Sequence, residues 1–492
     1  MMQISRFKLS ALAIATAMAC SPAAFATNGY FVHGYGTKSS GMGGVGIALP
    51  QDAIAAATNP AGMSWVGSRA DVGIMLFNPR RDASLDARGL SASGAAGTSS
   101  SAASGATLFL VPNAGFQMDM AGMTMGFTMY ANGGMNTRYG TNIFTNAFAP
   151  AVGNTSTGPG SFGPPRGFAR ALEGMGIPAS TINASLAGLY GNPNNGPSLG
   201  VNLSQLIMAP SASMKFGQNN SIGASLLIGY QRFRAYGLGL FQGMSSAPSN
   251  VTNKGDDDAW GMGVRLGWTG KLTDYLTLGA TASSKVYMQK FTQYKGLFAQ
   301  GGKFDIPANY GLGLALKPND QWTVAFDAER ILYGNVKAIA NPGPTGDEFL
   351  GAFASSLSGG ATGPVSRPLG TDGGYGFGWN NQTIYKLGVA YKYDDQWTMR
   401  AGFNYGKSPI KDSQNLFNIL APGVVEKHAT LGFTYSPTKT NEISVGYMHA
   451  FRKDQSYTYT NPGSAASFGN QSYTANIGMS ENSLEVSYGY KF

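Results

Sequence analysis

The chain has 492 residues; only 12% are charged while 12% are aromatic and 70 are glycine, and its formal net charge is +9. Basic residues form no dense cluster of the kind a nucleic-acid footprint needs, and few charges with many aromatic rings is an unusual mixture for a soluble domain of this length. One cysteine, Cys20, excludes an internal disulfide framework and a thiolate metal centre.

Met1 to Ala26 carries Arg6 and Lys8, an apolar run from Leu9 to Ala19, and Ala24-Phe25-Ala26, the small-x-small pattern of a cleaved signal peptide. A lipoprotein signal ending at Cys20 is the rival, but Ala17 stands where a bulky aliphatic residue is usual. Removing residues 1–26 leaves a net charge of +7 and no cysteine. No remaining stretch approaches the roughly 18 consecutive apolar residues of a spanning helix. A closed barrel is then the other way for an exported, aromatic-rich chain to cross a bilayer, because it pairs every backbone polar group.

Residues 27–65 are glycine-rich and carry only Lys38 and Asp52 as charges, with no apolar stripe long enough for a core. Such a segment needs a container, and residues 66–492 supply one. From 66 onward, segment after segment alternates with a period of two. Trp260, Met262, Val264, Leu266 and Trp268 oppose Gly261, Gly263, Arg265, Gly267 and Thr269; Leu276 to Ala282 oppose Thr277 to Ser283, with Lys285 continuing the polar face. The apolar sets point out and the polar sets in, with aromatic residues crowding the ends of the apolar face as at membrane interfaces.

The pattern predicts fourteen strands near 66–79, 108–119, 122–136, 204–217, 220–236, 257–271, 274–292, 303–317, 320–336, 380–394, 396–408, 425–437, 440–456 and 481–492. Tight turns, as at Met120-Ala121, Leu272-Thr273 and Pro318-Asn319, alternate with long connections. Short periplasmic turns and long extracellular loops mark a bacterial outer-membrane barrel with both termini in the periplasm. The last strand presents Leu484, Val486, Tyr488, Tyr490 and Phe492 on one face. The expected fold is an all-β, 14-stranded antiparallel transmembrane β-barrel with residues 27–65 lodged in its lumen as an N-terminal hatch.

The sequence SGMGGVGIA from Ser40 to Ala48, then Asp52, then Asn59-Pro60-Ala61-Gly62-Met63 just before the first strand, resembles the hatch of the FadL/TodX family of outer-membrane transporters for hydrophobic compounds. The resemblance continues in Ile306-Pro307, in DQWT at 320–323, in YKLGVAY at 385–391 and in QWTMRAGF at 396–403, and covers essentially the whole mature chain. It implies that extracellular loops capture a ligand, which passes to a pocket at the mature N-terminus, here Thr27, Asn28, Gly29, Tyr30 and Phe31. Release is then sideways, through a gap beside an inward kink of the third strand. In this chain that strand holds Asn132, Gly133 and Gly134, where glycine permits a bulge or merely marks the strand's upper end.

Apolar loop residues suit capture: Leu172, Met175, Ile182 and Leu186 between strands three and four, and Phe349 and Phe353 later, although helices that simply cap the barrel have the same composition. A fatty-acid carboxylate in such a pocket needs a donor, since an unpaired buried charge is costly. Inward Arg265, Lys285, Lys386 and Arg400 are candidates, with lumen acids such as Asp327 and Glu329 as competing partners. A neutral aromatic hydrocarbon needs none of them.

Gly41, Gly43 and Gly46 match a dinucleotide fingerprint formally but lack its βαβ setting, and Asp256 to Asp258 reads as a solvated loop end rather than a calcium site. No cofactor and no metal are expected. A lipase using His449 lacks a nucleophile elbow and has no use for a plug. A general diffusion porin predicts steady ionic conductance, which a hatch does not. The expected partners are a hydrophobic small molecule, outer-membrane lipid and lipopolysaccharide, with detergent as an occupant of the pocket in a structure. No nucleic acid is expected, and a barrel that satisfies its own edges is expected to be a monomer.

Overall fold

The computed structural model describes residues 27–92, 95–152, 199–345, 348–349, 365–462 and 470–492. Fourteen strands form the wall: β1 Arg69–Asp86, β2 Phe109–Met120, β3 Met123–Asn136, β4 Gly200–Phe216, β5 Asn220–Tyr236, β6 Asp257–Lys271, β7 Leu276–Ser283, β8 Asn309–Leu316, β9 Trp322–Ile331, β10 Gln382–Lys392, β11 Trp397–Gly406, β12 Lys427–Tyr435, β13 Asn441–Pro462 and β14 Asn470–Lys491. Each pairs antiparallel with its sequence neighbour, and β14 closes the ring on β1 from Arg69↔Lys491 to Asp86↔Thr474. This is the closed barrel that the period and the alternating connections predict. The β2–β3 turn shows why one of those connections is so short: Ala121 and Gly122 both take positive φ, 48° and 84°, as a two-residue hairpin turn that matches strand twist requires.

The bounds of several strands differ from expectation, β8, β9 and β13 by five or six residues at one end, and three further differences, on β1, β14 and β7, each have a definable reason. β1 runs on past Pro79, which lies just beyond its last pair with β2, Phe77↔Phe109, and before its next partner on that side at Asp82, a gap in the ladder where proline is tolerated. β14 begins at Asn470 rather than 481 because its polarity inverts there. Below Glu481 the outward residues are Leu484, Val486 and Tyr488, whereas above it the buried inward residues are Tyr473, Ala475, Ile477 and Met479. A search for apolar-out alternation stops at that inversion. The same switch occurs on β5, where outward Ile222 and Leu226 give way to Arg232 and Arg234 while inward Ser221 and Ser225 give way to Phe233 and Ala235.

β7 is interrupted. Ser283 pairs with Arg265 but Tyr287 pairs with Met262, so one extra residue enters the ladder. Val286 and Met288 are buried beyond the break and Tyr287 is 61% exposed. The phase has therefore flipped, and Lys285 leaves the inward face to which simple alternation assigns it.

Candidate functional site

Residues 27–65 fill the ring at close quarters with inward wall positions. A Cβ added at Gly402 of β11 would stand 2.2 Å from the Gly43 nitrogen, and one at Gly279 of β7 would stand 2.3 Å from the Ile47 oxygen. These inward glycines therefore receive the segment's backbone rather than widen an open lumen. Asp327 of β9 accepts from the Gly46 and Ile47 amides at 2.7 and 3.0 Å, and Asp71 of β1 accepts from Ala53 at 2.8 Å. At the foot of the barrel Glu442 meets Lys38 at 2.5 Å, Arg69 at 2.8 Å, and Lys491.

The Asn59-Pro60-Ala61 motif is a helix cap turned to docking. Asn59 precedes the 3₁₀ turn Pro60–Trp65, accepts from the Ala61 amide at 3.1 Å, and donates to Ile47 O at 2.7 Å and Trp268 O at 3.0 Å. Proline at the first turn needs no hydrogen bond from its nitrogen. Ser221 of β5 donates to Ala61 O at 2.7 Å, so the motif is fastened to β5 and β6 together.

The wall is incomplete between β2 and β3. Their ladder ends at Ala114↔Met129, although β2 continues up to Phe109 against β1 and β3 continues to Asn136 against β4. The next bridge above joins Ser104 to Tyr139. Within this window β3 carries a bulge: Ala131 pairs with Leu206 and Gly133 with Gln205, leaving Asn132 as the inserted residue. The amino-terminal segment covers the freed edge from inside. Val32 N donates to Asn132 O at 3.3 Å, Gly134 N donates to Tyr30 O at 3.2 Å, and Phe31 bridges Gly133. A Cβ on Gly133 would stand 1.9 Å from the Tyr30 oxygen, so only glycine admits this approach.

Thr27 to Phe31 is held in turn by aromatic loop residues. The hydroxyl of Tyr333, in the β9–β10 connection, donates to Asn28 O and accepts from the Tyr30 amide at 3.3 Å. The Tyr30 ring lies 5.5 Å from Tyr333, 6.0 Å from Trp379 and 6.2 Å from Phe304, centroid to centroid. Burial pushes the Tyr30 phenol well above its ordinary range, with Tyr333 adding to the shift, so it stays neutral. Two ring contacts lead outward from this cluster, Phe304 to Phe298 at 4.9 Å and Trp379 to Phe377 at 6.5 Å. Phe298 and Phe377 both line a chamber under the loops, with Phe233, Phe241, Phe417 and Leu420 among its other walls. Among the described residues no charged side chain lines it. Its free volume is about 30 Å³, well below the ~150 Å³ that admits benzene elsewhere, so occupation requires these rings to shift.

The candidate basic residues lie elsewhere. Arg265 donates to Ala57 O and to Tyr130 at 3.3 Å; Lys386 pairs with Glu329 at 2.8 Å; Arg400 donates to Gln51 at 3.1 Å and Thr434 at 2.7 Å. Lys285, past the break in β7, donates to Asn335 O at 2.9 Å. Three of the four thus hold the luminal segment or the inner wall, and none lines the chamber. Phe349 is buried against Phe148 and Phe241 at 5.3 and 6.0 Å, while Leu172, Met175, Ile182, Leu186 and Phe353 lie outside the described residues. Sequence reasoning missed Phe298, Phe304, Tyr333, Phe377 and Trp379. Phe298, Phe377 and Trp379 fall in connections that carry no strand period, whereas Phe304 and Tyr333 fall within stretches read as strands at 303–317 and 320–336, which the structure makes shorter.

Solved structures share this architecture. The toluene transporter TodX of Pseudomonas putida aligns over 94% of this chain and 99% of its own at 19% identity, TM-score 0.59. A FadL homologue from Pseudomonas aeruginosa aligns over the same shares at 16% identity, TM-score 0.60, and the Ralstonia pickettii toluene transporter TbuX likewise at 17%, TM-score 0.54. At these identities the likeness establishes the fold. No curated protein matches the sequence. Residues 179–492, well over half of the chain, match the model of the outer membrane protein transport family, OMPP1/FadL/TodX, and the chain belongs to that family of the bacterial outer membrane.

Proposed function

We propose that the chain is a channel for neutral hydrophobic molecules, monoaromatic hydrocarbons foremost, which leave the barrel sideways through the window between β2 and β3. The observation that carries this reading is the backbone pairing of Tyr30 to Val32 with the bulged edge of β3. A short extended segment closes a wall opening from inside through a few backbone bonds, and its withdrawal would join the chamber to the membrane. The uncharged chamber lining favours a ligand with no carboxylate to satisfy, and TodX and TbuX are toluene transporters. Lateral release spares an apolar ligand the roughly 0.8 kcal/mol per CH₂ that water would cost it. A porin mechanism is disfavoured by the filled lumen.

Equilibrium binding in nanodiscs tests the ligand class. Toluene should bind saturably to the wild-type protein, and Phe298→Asp, which places a charge in the chamber, should weaken it at least tenfold. Saturable binding of a long-chain fatty acid with none of toluene would contradict the reading.

A further inference from the structure

The membrane-facing wall is not evenly convex. Outward positions on β4 to β9 include the small residues Ala212, Ala224, Ala280, Ala282 and Ala328, and between the bulkier side chains around them lies a groove of about 1080 Å³. It runs obliquely from Met214 and Ile222, at the short-turn ends of β4 and β5, to Tyr310, Arg330 and Thr383, at the long-loop ends of β8 to β10. The long-loop end faces the outside in a bacterial barrel.

At that end the groove is basic. The outward Arg330 donates one bond, to Thr383 Oγ1 at 2.7 Å, and among the described residues it meets no carboxylate. Its guanidinium has five N–H donors, so most remain available. Lys285 stands on the same outer face, three residues beyond Ala282, because the break in β7 reversed its phase. It shares a single carboxylate, Asp305, with Lys303, at 3.6 and 3.7 Å. Both ammonium groups lie over the Tyr287 ring, at 5.5 and 5.8 Å. Glu329, which lines the groove next to Arg330, is already paired with Lys386 at 2.8 Å, so Arg330 in the lining and the two lysines outside it leave an excess of positive charge where the groove meets the outer interface. Asp305 is partly spent already, accepting from the Met288 amide at 2.9 Å.

We propose that this groove binds a phosphorylated, multiply acylated lipid of the outer leaflet, with acyl chains along the alanine-floored wall and a phosphate held by Arg330, Lys285 and Lys303. Arginine presents paired donors that match phosphate geometry, and basic pockets against a membrane wall are suited to anionic headgroups. A second copy of the chain is a poorer occupant, since an isologous contact sets the same patch against itself and brings these cations together. The site is separate from the chamber and the window, so it stands or falls independently of the transport reading.

Native mass spectrometry of the full-length protein, with bis-phosphorylated lipid A or phosphatidylethanolamine added, tests the proposal. Lipid A should bind at least tenfold more tightly than phosphatidylethanolamine. Arg330→Gln should remove most of that preference. Ala282→Trp should weaken both lipids by filling the groove, with folding checked for both variants by resistance to unfolding in cold detergent. Equal affinity for the two lipids, lipid A binding unchanged in both folded variants, or a dimer that occludes the groove would overturn it.

Discussion

At the scale of single residues, the luminal segment is held by a few groups whose removal leaves others stranded. Glu442 is the acid for Lys38, whose side chain is 7% exposed, and it also serves Arg69 and Lys491. Breaking a buried pair from one side costs about 3–5 kcal/mol because the remaining charge stays unpaired. Glu442→Gln should lose about 3 kcal/mol of stability and raise ionic conductance in planar bilayers as the foot of the segment loosens. Asn59→Ala removes a cap, a bond within the luminal segment to Ile47 and a bond to the wall at Trp268. About 1–3 kcal/mol should be lost, measurable as a lower unfolding temperature with the barrel still closed.

At the scale of elements, the inward glycines and the third strand carry the argument. Gly402→Val sets side-chain atoms where the Gly43 backbone lies. Limited proteolysis should therefore cut between residues 27 and 65 in the variant and not in the wild type. The strands themselves were legible because Trp260 to Thr269 or Tyr385 to Tyr391 alternates cleanly between lipid and lumen. Lys285 was misplaced because one extra residue at the β7 break reverses every later side chain, an event that composition does not announce. Asn132 to Gly134 could be read either as a bulge or as a strand end. What decides is pairing, and pairing with β2 stops at Met129 while pairing with β4 continues to Asn136. The chamber was illegible for a different reason: Phe233, Phe298, Phe377 and Phe417 come from one strand and three separate connections, and nothing in their spacing brings them together.

At the scale of the whole molecule, the barrel is two environments stacked on one ladder. In its lower part lipid lies outside and the polar contacts that fix residues 27–65 lie inside; in its upper part the polarity inverts and the apolar face encloses the chamber. The inversion on β14 falls at Glu481. Val486→Arg, below it, should cost about 2–4 kcal/mol as a charge facing hydrocarbon, whereas Asn476→Arg, above it, should change unfolding in lipid vesicles little. The same stacking fits the proposed route, in which an apolar ligand enters from above and leaves through the side: straight below the chamber the lumen is filled by the hydrogen-bonded backbone of residues 27–65.

The window at β3 is where that account is most exposed. Deleting Asn132 removes the inserted residue and lets β3 pair in continuous register, without touching the chamber or the foot of the barrel. Whole-cell uptake of radiolabelled toluene by this variant, at matched surface expression, should fall at least tenfold while binding in nanodiscs persists. Uptake at the wild-type rate, with the bulge shown to be gone, would contradict lateral passage.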